Sequence, residues 1–469
     1  MTDVSPRTSA PPARNASRLV LLIACGATFV AFLDLSVVNI AFPDIRRDFP
    51  ATSPEVLTWV VSGYAVGFAA LLTPAGRLAD ALGRRRVFVA ALAGFAATSL
   101  ACAVAPDANW LIAARLLQGT TAALMIPAGL GLVLGSTSPD RFGAAIGAWS
   151  AAGGFAAVVG PALGGVLVEG FGWRSVFLIN VPVGLLIAVL ATRVPEIRSG
   201  TGTPALPDPV GAAAAALGIG ALVAGVTEGQ GWGWTSARTL IVLGIGVAMA
   251  AVALGRSVRH PSPAVAVGLW RSRRYALVNA ASFVFGAAMF AWLLSGPLFL
   301  ESIWRYSVLS SAGALTVGAV ASMVGAAAAG RFTAPSAQRA FAVAGAAMFA
   351  ATQYWMSTDA FGAQASLWSA WVPAGLLGGS GLGMVVTVLG AAAASSVPPQ
   401  QFATGVGMNV TARQVGGGLG VAALAAVFAA RGHDPLEAFH TLYWYGALAT
   451  VVAVGLLALP AVHQQEARP

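Results

Sequence analysis

Apolar runs alternate with short polar links along the whole chain. Fourteen of the runs approach the ~20 residues that a helix needs to cross a bilayer. Their approximate limits are 18–42, 54–76, 86–105, 109–134, 141–168, 174–193, 209–228, 238–257, 275–301, 308–330, 339–357, 366–394, 402–430 and 438–460. The pattern predicts an all-α polytopic membrane protein. An even number of crossings returns both termini to one side. Arginine gathers in alternate links, most densely at Arg256, Arg259, Arg271, Arg273 and Arg274. By the positive-inside rule those links and both termini are cytoplasmic.

The pattern also repeats. STSPDRFGAAIG (Ser136–Gly147) and SSVPPQQFATGVG (Ser395–Gly407) each join one run to the next through proline, a polar patch, then Phe and Gly. Their offset of about 260 residues maps the first run onto the ninth. A fainter echo places Gly330 and Arg331 at the end of the tenth run, as Gly76 and Arg77 end the second, with no matching Asp. The expected organisation is a disordered tail over 1–17, a six-helix bundle over 18–198, an inserted two-helix linker over 199–272, a second six-helix bundle over 273–463 and a tail over 464–469. Parallel repeats of this kind place a substrate cavity between the halves, near the bilayer midplane.

Composition agrees. The 469 residues are 57% hydrophobic and only 9% charged, with a mean hydropathy of +0.78; soluble domains carry about 25% charged residues. A net charge of +9 raises the possibility of nucleic acid, but the arginines sit in short loops between spans, which is orientation and not a binding patch. Cys25 and Cys102 lie inside apolar runs, with no disulfide framework and no metal-ligand spacing. The first run is too long for a cleavable signal peptide. No cofactor, metal centre, nucleophile–base pair or phosphate loop is expected, so enzymatic activity is not.

Ionisable residues inside spans are costly, and they are the functional candidates. Asp34 lies roughly 13 Å from the outer end of its span at Pro43, by the 1.5 Å rise. It is either a packing lock hydrogen-bonded to a neighbouring helix or a carboxylate lining the cavity. Asn39 falls off its face and suits a helix–helix contact. Arg115 is roughly 9 Å deep in the fourth span, with Gln118 one turn on. Arg413, followed by Gln414, is roughly 17 Å from the cytoplasmic start of the thirteenth span and needs a partner or a wet cavity. Glu169, Glu228 and Glu301 fall at outer span ends, where a solvated acid is the simpler reading. The four histidines lie in loops or at ends. Trp149, Trp292 and Trp355 are either packing residues or faces for an apolar substrate.

One link is more structured than charge demands. Gly76–Arg86 reads GRLADALGRRR, with two glycines for close backbone approach, Asp80 to pair with an arginine or cap a helix, and three arginines to fix the side. Further on, the fifth span carries Gly160, Pro161, Gly164 and Gly165, small residues that let helices touch.

These strings resemble the fourteen-helix drug:proton antiporter family of the major facilitator superfamily, from Ser17 to about Pro460. They are Asp34, Asn39 and Pro43; Gly76–Arg86; Arg115, Gln118, Gly119 and Pro127; Gly160, Pro161, Gly164 and Gly165; and Trp173, Arg174, Phe177, Asn180 and Pro182. The resemblance implies the major facilitator fold, two six-helix bundles plus two inserted transmembrane helices. It makes Asp34 and Arg115 the proton-coupling pair, with Glu301 as a further candidate because the family often has Gln there. Gly76, Asp80, Gly83 and Arg84 become a cytoplasmic gate, and Gly160, Pro161, Gly164 and Gly165 an antiporter hinge. Asn39, Gln118, Trp149, Trp292, Arg413 and Gln414 are cavity candidates. The degraded second gate motif (Gly330, Arg331, then TAPSAQRA) puts a gate in the second half in question.

The implied function is proton-coupled export of small hydrophobic or amphipathic compounds from a bacterial cell, by alternating access in the plasma membrane. The proton gradient is the energy source and the unit is a monomer. Uptake of a small polar metabolite is the alternative within transport; a non-transporting membrane sensor is the alternative outside it, and the absence of long loops disfavours that.

Overall fold

Apolar stretches in hydrocarbon leave the backbone no partner except its own next turn, so each run closes into a helix. The computed structural model describes residues 14–196, 206–332, 334–431 and 434–459. The first half comprises α1 (Arg14–Asp48), α2 (Trp59–Leu82), α3 (Arg84–Ala103), α4 (Ala108–Ser136), α5 (Phe142–Phe171) and α6 (Asn180–Thr192), the last preceded by a separate turn at Ser175–Leu178. The inserted pair is α7 (Pro209–Trp232) and α8 (Ala237–Arg259). The second half comprises α9 (Arg273–Ser302), α10 (Val308–Arg331), α11 (Pro335–Met356), α12 (Val372–Ser395), α13 (Phe402–Ala430) and α14 (Pro435–Ala458).

Thirteen of these, with α6 taken together with its preceding turn from Ser175, are long and apolar enough to cross a membrane. The other, α11, packs between α12 and α14; Gln338, Arg339 and Gln353 dilute its apolar character. Most expected limits hold to within a few residues, but α1 runs through Pro43 to Asp48, so Asp34 is about 21 Å from its end and not 13. The sixth span departs from regular helical hydrogen bonding at Ile179, before Asn180, but keeps a helical backbone there (φ −62°, ψ −29°). The expected tails at 1–17 and 464–469 lie outside the described residues, apart from 14–17, which begin α1 and whose Ser17 hydroxyl donates to the Ser136 carbonyl.

Helix pairings of the first half recur eight helices on: α1 with α5 and α9 with α13, α2 with α4 and α10 with α12, α3 with α6 and α11 with α14. The halves meet along two seams, α2 with α13 and α5 with α10, which the same operation exchanges. The two copies of the repeated link behave alike. Each forms a 3₁₀ turn, Pro139–Arg141 and Pro399–Gln401, before opening α5 or α13. Their phenylalanines, Phe142 and Phe402, meet edge to face at 5.4 Å, one from each half. The inserted α7 packs on both α2 and α13, and so lies over one seam only.

Glycine sets the closeness of both seams. A Cβ on Gly76 would strike the backbone of Ala403 and Thr404; one on Gly330 would strike Gly143 and Ala144. These approaches cluster at the arginine-rich end of the molecule. Away from it, a Cβ on Gly154 or Gly165 of α5, or on Gly313 of α10, would meet nothing within 4 Å.

Candidate functional site

Two polar assemblies stand out, one inside the first half and one between the halves. The first is built around Asp34. Its side chain and that of Arg115 are both 0% exposed and form an ion pair. Gln118 donates to the same carboxylate at 3.0 Å and Asn180 at 2.8 Å. Arg115 also donates to Gln118 Oε1 at 2.6 Å and to the Val60 carbonyl at 2.8 Å, while Gln118 donates to Ser99 Oγ at 2.7 Å. The guanidinium lies 4.5 Å from the centre of the Tyr64 ring and 5.6 Å from that of Phe177. Its Nη2 is buried with no hydrogen-bond partner, so the Tyr64 face is its remaining support.

Five helices of one bundle contribute, α1, α2, α3, α4 and α6, and none from the other half. Asp34 therefore does not line the space between the halves in this structure; it is enclosed in a bundle core. Breaking a buried pair of this kind by removing one partner costs about 3–5 kcal/mol, so the pair ties together every helix that touches it.

The second assembly joins the halves. Asp80, near the end of α2, receives Arg84 Nε at 2.8 Å. It also accepts the Thr404 hydroxyl at 2.7 Å, the Thr404 amide at 2.8 Å and the Ala403 amide at 3.4 Å. Those amides are the first free donors of α13, so Asp80 caps a helix of the opposite half. Arg84 also donates to the Gly131 carbonyl of α4 at 3.1 Å and reaches across the halves to the Pro399 carbonyl, with its guanidinium 5.6 Å from the Phe402 ring. Gly83 sits at φ 105°, in the left-handed region that favours glycine, where it turns α2 into α3. The second half keeps the close-approach glycine at Gly330, but Arg331 is exposed and Gln338 donates to the nearby Phe332 carbonyl of its own half. The contact survives there without its charges.

The remaining candidates are dispersed. Glu301 is exposed at the end of α9 and is not brought to the Asp34 pair. Asn39 is exposed and donates to the Leu35 carbonyl of its own helix at 3.0 Å, so it makes no helix–helix contact through its amide. Trp149 is buried. Trp292 packs 5.3 Å from Phe349 and donates to the Met356 sulfur, inside the second bundle. Gly160 and Gly164 press on Ser36, Val37 and Ile40 of α1, whereas Gly165 meets nothing, and α5 passes through Pro161 unbroken. Arg413 is buried and Gln414 half-buried beside it.

Glu228 corrects an expectation: it is 8% exposed, not solvated, and accepts the Ser62 hydroxyl at 2.7 Å, linking α7 to α2. Asn180, Ser99, Tyr64 and Thr404 enter the two assemblies without having been singled out as site residues. Among the described residues no group of three or more His, Cys, Asp or Glu could hold a metal ion.

A family model described as Major Facilitator Superfamily matches residues 24–421. A probable actinorhodin transporter of Streptomyces coelicolor is 35% identical, over 90% of this chain and 74% of its own. The puromycin resistance protein pur8 of Streptomyces alboniger is 32% identical, over 94% and 89%. The multidrug resistance protein Stp of Mycobacterium tuberculosis is 32% identical, over 89% and 77%. Among solved structures, the human organic anion transporter MFSD10 superposes with a TM-score of 0.71 at 16% identity, covering 96% of this chain and 100% of that one; this likeness concerns the fold alone. With its duplicated bundles, its two seams and a family match spanning most of its length, the chain belongs to the Major Facilitator Superfamily.

Proposed function

We propose that the protein is a proton-coupled antiporter that exports small hydrophobic or amphipathic compounds by alternating access. The observation that carries the reading is the enclosed Asp34–Arg115 pair. It is an acid whose charge is balanced inside the bundle by one buried arginine, so a proton reaching it would undo the pair where five helices converge. Relatives named for antibiotic resistance and export support the efflux half of the reading.

The arginine-rich end is cytoplasmic on the positive-inside argument, with both termini on that side. The contacts among Asp80, Arg84 and Thr404 then hold the cytoplasmic end shut, and Gly76 and Gly83 permit that closure. Protonation of Asp34 from outside removes its charge and weakens its hold on Arg115, Gln118 and Asn180. The bundle relaxes, the cytoplasmic seams part, and loss of the proton inward resets the pair. One charge crossing at 100 mV supplies about 2.3 kcal/mol.

The test is export of ethidium and fluorescein from energised inverted vesicles, with and without a protonophore. Accumulation that collapses with the protonophore is expected. Dye movement indifferent to it removes the antiport reading.

A further inference from the structure

Six charged residues are buried among those described: Asp34, Arg84, Arg115, Asp208, Glu228 and Arg413. Five have partners. Asp34 and Arg115 hold each other, Arg84 holds Asp80, Asp208 holds Arg256, and Glu228 accepts from Ser62. Arg413 is the exception. It is 9% exposed, and among the described residues it has neither a hydrogen bond nor an ion pair.

Among the described residues no carboxylate of its own half reaches it. The acids there are Glu301, Asp359, Asp434, Glu437 and Glu466. The first four stand at helix ends or in the links on the side away from the arginines, and Glu466 falls beyond α14, outside the described residues. Gly286 marks the level of Arg413 on α9, because a Cβ there would strike the Arg413 backbone. Glu301 is about 22 Å further along that helix at 1.5 Å per residue. In the first half Asp34 and Asp80 are each occupied.

A buried guanidinium without a counter-charge is costly to keep, and a ligand that comes and goes would supply that charge. The helix that carries it is closely packed and has an aromatic ring one turn away. Gly416 and Gly420 bring α13 against the backbone of α9, and Gly417, one turn beyond Arg413, lies under the Phe290 ring. The planar fork of an arginine pairs two-pronged with carboxylate-like groups and stacks on flat rings.

We propose that Arg413 is a binding residue for the oxyanion of the transported compound, so that the carrier takes aromatic organic anions bearing a carboxylate or an acidic phenol. The proposal rests on the efflux reading for its cargo and deepens it by naming a charge.

The test uses the full-length protein in nanodiscs and fluorescence anisotropy, with fluorescein as the anionic probe and ethidium as a cation of similar size. Wild type should bind fluorescein. Arg413→Gln should lower the ratio of fluorescein to ethidium affinity at least tenfold, and Arg413→Lys should recover most of that ratio. Wild type that binds ethidium but not fluorescein overturns the proposal. So does an Arg413→Gln protein in which both affinities fall together with no recovery by lysine, which is the signature of a packing residue. Repeating the measurement with phosphatidylglycerol in place of phosphatidylcholine separates sources of the anion: loss of fluorescein binding there assigns the arginine to lipid headgroups and overturns the cargo claim. The vesicle assay fails separately. Protonophore-sensitive ethidium export without fluorescein binding leaves efflux standing and removes the anchor; fluorescein binding that responds to Arg413 without any export does the reverse.

Discussion

Thr404 donates to Asp80 Oδ2 twice, through its hydroxyl at 2.7 Å and its backbone amide at 2.8 Å, across 324 positions of sequence. A carboxylate of one half thereby completes the N-terminus of a helix in the other. Thr404→Val removes one bond of the two and should cost about 1 kcal/mol of bias towards the closed end; Asp80→Asn, which also loses the charge facing Arg84, should cost about 1.5–3 kcal/mol. Spin labels at Ser138 and Gln400, exposed in the two repeated links, read the separation by pulsed dipolar spectroscopy. Longer distances are expected in both variants, more in Asp80→Asn, with substrate affinity largely kept. Unchanged distances would reduce Asp80 to a local cap.

Asp34→Asn should abolish pH-driven export. It should also lower the melting temperature, because Arg115 is left buried without its counter-charge at a cost of about 3–5 kcal/mol. The double variant Asp34→Asn with Arg115→Gln removes that penalty and separates packing from coupling. It should melt near wild type yet remain unable to use a proton gradient. Recovery of both stability and protonophore-sensitive export would make the pair a packing lock.

Gly76→Val and Gly330→Val should each prevent closure at the arginine-rich end, since their Cβ atoms would meet backbone and not yielding side chains. Arg331→Ala should leave closure intact, because Arg331 is exposed. The same spin-label pair checks all three. Equal distances in Gly330→Val and wild type would mean that the α5–α10 seam opens independently of the other.

Asp208 accepts Arg256 at 2.7 and 2.9 Å just before α7, and these hydrogen bonds are the main cause that draws its carboxyl down from 3.8 to about 2. A depressed carboxyl stabilises the folded form fully above its unfolded value and loses that contribution as pH falls through the folded one. Thermal stability should therefore decline between about pH 4 and pH 2. Asp208→Asn should flatten that part of the profile in scanning fluorimetry and lie below wild type at neutral pH. An unchanged slope would deny the ion pair a role in holding the inserted helices.

The helices were legible because hydrocarbon forbids alternatives, and Asp34 and Arg115 because charges inside such runs stand out. What went unread depends on neighbours. Asn180 is one amide among many polar residues, and its partner Asp34 lies on another helix, 146 positions away. Thr404 matters because a helix from the other half starts opposite Asp80. Glu228 looked like an interfacial acid because depth along a helix says nothing of which helix covers it; α2 does. Arg413 was visible by depth, but its lack of a partner is a property of every helix around it at once.

The inserted α7 touches α2 and α13, the helices of one seam, while among the described residues no inserted helix lies over the seam of α5 and α10. The two flanks of a duplicated machine are therefore not equivalent towards the lipid. A lipophilic molecule drifting sideways within a leaflet meets a shuttered flank on one side and a bare one on the other. The insertion thus imposes handedness on a scaffold whose duplication would otherwise have left it symmetric.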